Sequence, residues 1–241
     1  MMKQLLRQNA VFLTLSLMLV VALGLALLYI PKGELHLLLC DHHTPARDIF
    51  FRYYTQVAEW FPYVLCVLLL LFCRIGDGVL AASGLAFSAL TTQLFKHIIN
   101  APRPLTWFAA NMPDVQLPLV EGVRMNYWFS FPSGHTTSFF ALFLALSIIT
   151  MQAIQQRSGL TGEAGPTAKR SYSMLACGLL QAILFTLAAL GGYSRIYLSQ
   201  HFAADVLAGI LVGILITVLC YAVLHRYEGQ NWYKYRVFAK K

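Results

Sequence analysis

The amino-acid sequence predicts an all-α membrane protein built as a single bundle of six transmembrane helices. Of the 241 residues, 58% are hydrophobic and only 12% are charged, whereas a soluble domain carries about 25% charged residues. Apolar runs also recur at the length of about 20 residues that an α-helix needs to cross a bilayer. The composition excludes an ordinary soluble enzyme, and the run lengths favour one integral membrane domain over the whole chain, residues 1–241.

The apolar runs and the turns between them define the six predicted spans. The first run ends in Leu-Leu-Tyr-Ile-Pro-Lys and offers no small-residue cleavage site, so we expect a retained span rather than a signal peptide. The third is rich in small and hydroxyl residues, and the sixth contains Gly209 and Gly213 as a Gly-x-x-x-Gly pair, which both favour close helix packing. The spans are expected at residues 9–30, 53–73, 79–99, 133–153, 172–193 and 201–225.

The longer connections are mixed in character. Residues 31–52 combine polar and apolar side chains and predict one or two short helices on the membrane surface. Residues 100–131 form a long loop with four prolines, and its tryptophans suit the membrane–water boundary. The polar part of this loop, 105–131, is a candidate lid or head-group reader. The tail, 225–241, interleaves basic and aromatic residues, which suits an anionic membrane surface. A lipid anchor is the simpler explanation of this tail, so we expect no nucleic-acid partner.

The distribution of lysine and arginine orients the bundle. With six spans, both chain ends, the turn at 74–78 and a polar linker at 154–170 share one side of the membrane. Eleven of the eighteen basic residues fall on that side. Because positive charge marks cytoplasmic segments, we expect both termini in the cytoplasm. The opposite helix ends then lie at the outer face, which is the periplasmic face of a bacterial-type inner membrane.

A histidine and an aspartate stand at the mouth of the sixth predicted span. His201 and Asp205 are four residues apart, a spacing that places two side chains on one face of a helix. Asp205 could accept a hydrogen bond from one ring nitrogen of His201 and leave the other free to act as a nucleophile or base. Ionisable groups at the edge of a membrane span are costly and by default indicate a functional site.

Three cations are predicted at the same outer face as this pair. Lys96 lies at the outer end of the third span, Arg103 follows in the next loop, and Arg195 lies at the outer end of the fifth span. Arginine binds phosphate with two parallel hydrogen bonds, and lysine acts as a point charge. Together they could surround a phosphoryl group.

The start of the fourth span adds an anion site and a second histidine. The run Pro132-Ser133-Gly134-His135 begins a helix, whose free N–H groups attract anions, and glycine allows a close backbone approach. Because His135 and His201 both titrate near neutral pH, one could attack phosphorus while the other protonates the leaving oxygen. Three cations and a helix start can stabilise the developing charge, so this chemistry needs no metal and no other cofactor. The ligand-type residues of Cys40-Asp41-His42-His43 are adjacent rather than spaced to converge on a metal.

In residue type and spacing, these three segments resemble the three-part signature of the type 2 phosphatidic acid phosphatases. This superfamily includes lipid phosphate phosphatases, bacterial undecaprenyl pyrophosphate phosphatases, lipid A phosphatases and, more distantly, vanadium haloperoxidases. The six-span layout fits the same superfamily along nearly the whole chain. The matching segments are Lys96 with six residues before Arg103-Pro104, then Pro132-Ser133-Gly134-His135, then Ser194-Arg195 with five residues before His201 and three more before Asp205.

The resemblance implies a role for each matching residue. His201 would be the nucleophile that forms a phosphohistidine, Asp205 would orient it, and His135 would be the general acid. The family also implies metal independence. After the second histidine the family often has proline and serine where this chain has Phe202-Ala203-Ala204, a departure that leaves the catalytic atoms in place. The phosphate-binding residues would be Lys96, Arg103, Ser133, Gly134 and Arg195.

The sequence therefore predicts an integral membrane phosphatase acting on a phosphate monoester or pyrophosphate of a lipid. Lipid A, undecaprenyl pyrophosphate, phosphatidylglycerol phosphate and phosphatidic acid all fit the same cations, and no motif selects among them. One alternative is a phosphotransferase that passes the phosphohistidine to another lipid. An alternative of another class is a transporter or channel whose buried charges line a path. Weaker candidates for head-group contact are Glu59, Asp114, Glu121 and Arg124.

Overall fold

The computed structural model describes residues 2–157 and 167–235, and this part of the chain contains α-helices, short 3-10 turns and no strand. This confirms the predicted all-α class. The predicted linker and the end of the tail lie partly outside the described residues. The α-helices are α1 (Met2–Gln8), α2 (Ala10–Tyr29), α3 (Lys32–Cys40), α4 (Pro45–Tyr54), α5 (Trp60–Cys73), α6 (Ile75–Ile99), α7 (Pro104–Asn111), α8 (Gly134–Arg157), α9 (Thr167–Tyr197), α10 (Ala203–Leu224) and α11 (Asn231–Lys234).

The described helices fit a multi-pass membrane protein. Five helical stretches are long and apolar enough to cross a membrane, and there are six if the bent pair Pro45–Ala58 and Trp60–Cys73 forms one span. The two halves of this pair meet at 52°, where Glu59 adopts an extended backbone. Pro62 explains the break, because a proline inside a continuous helix would remove a hydrogen bond and clash with the preceding turn. In the first turn of α5 the same proline is tolerated.

Helix α8 lies at the centre of the bundle. In its apolar stretch 67% of the residues are buried, against 11% for α2, and α8 contacts α6, α9 and α10. The predicted Gly-x-x-x-Gly pair of α10 faces this helix. A Cβ atom on Gly209 would lie 2.8 Å from the Ser133 carbonyl oxygen, and one on Gly213 would lie 2.6 Å from the Thr137 carbonyl oxygen. Glycine is therefore needed at both positions for the two backbones to approach.

The connecting segments contain more helix than the sequence predicted. The segment 31–52 forms α3 and most of α4, as expected, but α7 occupies part of the predicted loop 100–131, with Pro104 at its first position, where proline is favoured. The described part of the tail folds back on the bundle: Tyr233 is buried, and a Cβ atom on Gly76 would lie 2.5 Å from its ring. This part of the tail thus contacts protein, in addition to any lipid.

Four helix ends meet at one end of the bundle. The C-terminus of α6 closes at Asn100, which adopts a left-handed backbone and donates its N–H to the Lys96 carbonyl oxygen at 2.9 Å. The start of α8 is tied to the start of α10, because the Ser133 N–H donates to the Asp205 carbonyl oxygen at 3.0 Å. This convergence brings the predicted site residues together.

Candidate active site

The charged residues of the three signature segments share one buried site. The side chain of Lys96 lies close enough to Arg103, Arg195 and Asp205 for their charges to interact. The His135 ring interacts in the same way with Arg195 and with His201. Four separate helix ends thus place their polar side chains at one point, as the span directions predicted.

The histidine–aspartate pair is present, but its geometry differs from the expected helical i, i+4 pair. His201 lies in the loop before α10, while Asp205 lies in the first turn of that helix. The His201 Nδ1 atom is 3.4 Å from Asp205 Oδ2, and only 2% and 7% of the two side chains are exposed. Asp205 also caps its helix, since the same oxygen accepts the Phe202 N–H at 3.0 Å. The loop therefore holds the ring so that Nε2 is the nitrogen that faces away from the carboxylate.

Both members of this pair contact a serine that the sequence did not predict. Ser130 is fully buried, and its hydroxyl donates to Asp205 Oδ2 at 2.5 Å. The Ser130 Oγ atom also lies 3.5 Å from His201 Nδ1. The serine is itself anchored, because its N–H donates to the Ala101 carbonyl oxygen at 3.0 Å. Ser130 lies just outside the Pro132–His135 segment, and a single serine in a loop carries no sequence signal of its own.

The two arginines are held by partners from different parts of the chain. Arg103 donates from Nε to the Trp128 carbonyl oxygen at 2.9 Å and from Nη1 to Gln200 Oε1 at 3.0 Å. Arg195 donates from Nη1 to Thr55 Oγ1 at 2.7 Å, but its buried Nε has no hydrogen-bond partner among the described residues. A buried donor without a partner is costly, and a phosphate oxygen is the kind of acceptor that would satisfy it. Gln200 and Thr55 are further contacts that the sequence did not reveal.

Ser133 and Gly134 shape the start of α8. The Ser133 hydroxyl oxygen accepts from the Thr136 hydroxyl at 2.8 Å and from the Thr136 N–H at 3.4 Å, so this serine acts as a helix cap. A Cβ atom on Gly134 would lie 3.8 Å from Lys96 Nζ. The helix start and the lysine therefore face the same space, and phosphate binding by these two residues stays a prediction.

A polar cavity of about 290 Å³ opens beside the cations. His135 and Arg195 line one part of it, and the rest is formed by α4, the 3-10 turn after it and the loop around Arg124. A separate apolar cavity of about 320 Å³ lies behind Ile196 and Val206, which are neighbours in sequence of Arg195 and Asp205. The site thus borders two separate cavities, one polar and one apolar.

Helix α3 supports the loop that carries His201. The His36 ring is buried against the Phe202 ring, with centroids 5.1 Å apart, and its Nε2 lies 3.3 Å from Ser199 Oγ. Burial lowers the pKa of His36 to about 4, so this ring is neutral near pH 7. Lys32 Nζ lies 3.9 Å from the centre of the Phe202 ring, a cation–π contact. Burial also lowers the pKa of Lys32, while the charge of Asp205 opposes this shift.

The described residues contain no cluster of metal ligands: no three His, Cys, Asp or Glu side chains among them are placed to hold one ion. In the segment 40–43, the residues of metal-ligand type make contacts with separate partners. Cys40 donates its thiol hydrogen to the Ile196 carbonyl oxygen at 3.0 Å, and His43 Nδ1 lies 2.8 Å from Asp48 Oδ1. Metal-independent chemistry stays a prediction.

The fold and the site define a multi-pass membrane protein in which three cations and two histidines share one centre. The model of the PAP2 superfamily matches residues 77–228, which is more than half of the chain. The protein therefore belongs to the PAP2 superfamily, as the three signature segments indicated. All eight predicted site residues lie inside the matched region.

Two solved structures are similar to the chain. LpxE of Aquifex aeolicus is 26% identical, with a TM-score of 0.58 over 78% of this chain and 93% of that protein. A transmembrane PAP2 type phosphatidylglycerolphosphate phosphatase from Bacillus subtilis is 19% identical, with a TM-score of 0.61 over 91% and 96% of the two chains. Among curated proteins no sequence matches the chain significantly. The similarity extends over the bundle, including part of the chain before residue 77.

Proposed function

We propose that this PAP2 protein hydrolyses a phosphate monoester or a diphosphate on a membrane lipid through a phosphohistidine on His201. The observation that carries the proposal is the buried, unpartnered Nε donor of Arg195 beside Lys96 and the two histidines. Such a donor in a dry site needs an anionic acceptor. The oriented histidine next to it supplies the nucleophile.

The reaction proceeds in two steps, formation of the phosphohistidine and its hydrolysis. His201 Nε2 attacks phosphorus, the bond from phosphorus to the lipid oxygen breaks, and His135 gives that oxygen a proton. Water then attacks the phosphohistidine, His135 takes a proton from the water, and inorganic phosphate leaves with His201 restored. The three cations and the start of α8 stabilise the negative charge on the equatorial oxygens. These groups act without a metal.

The substrate is a lipid whose head group reaches the site from the outer leaflet. The apolar cavity behind Ile196 and Val206 is suited to an acyl or prenyl chain, and the polar cavity beside His135 to the head group. With both termini in the cytoplasm, the site faces the periplasm of a bacterial inner membrane. Lipid A, undecaprenyl pyrophosphate and phosphoglycerolipids are the candidate substrates, and the similarity to LpxE supports a search within this group.

Phosphate release from purified protein tests the proposal. Phosphatidic acid, phosphatidylglycerol phosphate, lipid A and undecaprenyl pyrophosphate are each incubated with the protein, without added metal and with EDTA. We expect release from at least one lipid, unchanged by EDTA, and a loss of about a thousandfold or more in His201→Ala. The matched control is His42→Ala, because this histidine is largely exposed. Activity abolished by EDTA would contradict the metal-free mechanism.

The same assay separates the alternatives. Rapid quenching without acid, with a lipid labelled in the phosphoryl group, is expected to trap label on His201. Label that appears on a second lipid instead of in inorganic phosphate would indicate a phosphotransferase. A protein that forms no phosphohistidine, and whose His201→Ala variant still moves lipid across vesicles, would be a transporter.

A further inference from the structure

The polar cavity beside the candidate active site is larger than a single phosphoryl group requires. It measures about 290 Å³ and extends from His135 and Arg195 to two further arginines, Arg52 on α4 and Arg124 in the loop before α8. One carboxylate, Glu59, also lines it and interacts with the charge of Arg195. Three arginines against one carboxylate leave this space with an excess of positive charge.

The two further arginines are placed differently. Arg52 donates from Nη1 to the Glu121 carbonyl oxygen at 3.2 Å, and a Cβ atom on Gly122 would lie 2.5 Å from its guanidinium carbon. It therefore holds the loop while its other nitrogens remain available. The Arg124 guanidinium makes no hydrogen bond or ion pair among the described residues. An exposed arginine without a protein partner, in a cavity that already contains a buried unpartnered donor, is suited to bind an anion.

Gln200 connects this outer part of the cavity to the candidate phosphate site. Its side-chain oxygen accepts from Arg103 Nη1 at 3.0 Å, and its side-chain nitrogen donates to the Arg124 carbonyl oxygen at 3.3 Å. Gln200 itself is buried and directly precedes His201. One side chain thus fixes the Arg124 backbone relative to the phosphate-binding arginine.

We propose that Arg52 and Arg124 form a second anion-binding subsite, which selects lipids whose leaving group is itself anionic. The inference rests on the proposed function, where His135 protonates the leaving oxygen. Because His135 lines the same cavity as the two arginines, the leaving group extends toward them. The predicted substrate class is a lipid diphosphate.

The chemistry of the two substrate types explains the selection. With a lipid diphosphate, His201 attacks the terminal phosphorus, the bond to the bridging oxygen breaks, and this oxygen receives the proton from His135. The departing lipid monophosphate keeps a negative charge, which Arg52 and Arg124 stabilise by charge-assisted hydrogen bonds. With phosphatidic acid the lipid instead leaves as diacylglycerol, a neutral alcohol, which gains nothing from these arginines.

A matched pair of lipids tests the subsite. Diacylglycerol diphosphate and phosphatidic acid with the same acyl chains differ by one phosphate, so the leaving group is charged in the first lipid and neutral in the second. For each protein variant, kcat/KM is measured for both lipids and expressed as the ratio of diphosphate to monophosphate. Losing a hydrogen bond to a charged group costs about 1.5–3 kcal/mol, so we expect Arg124→Gln to lower this ratio about tenfold or more.

Two further variants separate the role of the cavity arginines from a general effect of removing an arginine. Arg52→Lys loses the forked geometry, and we expect a smaller decrease in the ratio than for Arg124→Gln, because lysine keeps the positive charge. The control is Arg47→Gln, an exposed arginine on the same helix that does not line the cavity, and its ratio should equal that of the wild type. As a readout without chemistry, the inhibition constant of methylenediphosphonate should rise about tenfold in Arg124→Gln, with a smaller rise for orthophosphate.

The outcomes separate the two proposals. If the wild type hydrolyses both lipids and Arg124→Gln lowers both kcat/KM values equally, or behaves like Arg47→Gln, the subsite is overturned while the proposed function stands. If the wild type releases phosphate neither from this pair nor from any lipid of the panel above, and forms no phosphohistidine, the proposed function fails, and with it the subsite that rests on it.

Discussion

Replacing Ser130 by alanine tests whether the buried hydroxyl positions His201 and Asp205, the candidate catalytic pair. The hydroxyl donates to Asp205 Oδ2, the same oxygen that faces His201 Nδ1. After the change, Asp205 keeps the Phe202 N–H and the histidine but loses its shortest hydrogen bond. A hydrogen bond to a buried charged group contributes about 1.5–3 kcal/mol. If that amount is lost only in the transition state, kcat falls about tenfold to a hundredfold while KM stays nearly constant.

Ser147→Ala supplies the matched control. Ser147 is also fully buried, and its hydroxyl donates to Asn9 Oδ1 at 2.7 Å, within the bundle and away from the site. Both variants should unfold at a somewhat lower temperature, since each loses one buried hydrogen bond. Only Ser130→Ala should lower kcat, and Ser130→Thr should recover part of it. Equal kcat values in the two alanine variants would refute the positioning role.

Two further predictions concern packing and protonation. Gly213→Ala places a Cβ atom 2.6 Å from the Thr137 carbonyl oxygen and should destabilise the bundle by about 1–3 kcal/mol. The control Gly24→Ala, whose Cβ atom would lie 4.0 Å from its nearest neighbour, should leave the stability unchanged. Thermal unfolding in detergent measures both effects. The pKa of His36 falls from 6.5 to about 4 on burial, so between these values the unfolded chain binds more protons. The free energy of unfolding should therefore decrease as pH falls from 6.5 toward 4, by about 2 kcal/mol at pH 5. A His36→Gln variant whose melting temperature decreases with falling pH as steeply as that of the wild type would contradict this prediction.

The fold and the charged core of the site are readable from the sequence because membranes make charge rare. Lys96, His135 and Arg195 stand out against apolar runs, and the direction of each span predicts on which face they meet. The bend in the second predicted span was not predicted, although Pro62 offers a local signal for it. The start of α10 was harder to predict, because whether Asp205 caps the helix or pairs along it depends on the backbone of the preceding loop.

The polar partners of these charges could not be predicted in the same way. Ser130, Thr55 and Gln200 each hold a catalytic or phosphate-binding candidate, yet serine, threonine and glutamine are common in loops and helices and make no local pattern. Their role depends only on which side chain the tertiary structure brings against them. A single hydroxyl or amide becomes meaningful only after the helix ends have been placed.

The site combines residues of the region that the family model matches with residues of the preceding segment. The region matched by the superfamily, 77–228, contributes the nucleophile candidate and three cations, but Arg195 is held by Thr55, which precedes that region. Arg52 lies one turn before Thr55 on the same bent helix pair. Any sequence change that shifts this pair therefore moves the hydrogen-bond acceptor of Arg195, a candidate phosphate-binding residue, together with one arginine of the proposed leaving-group subsite. Catalytic rate and lipid selectivity should consequently change together when the bend at Glu59 is altered, and separately when Arg124 alone is replaced.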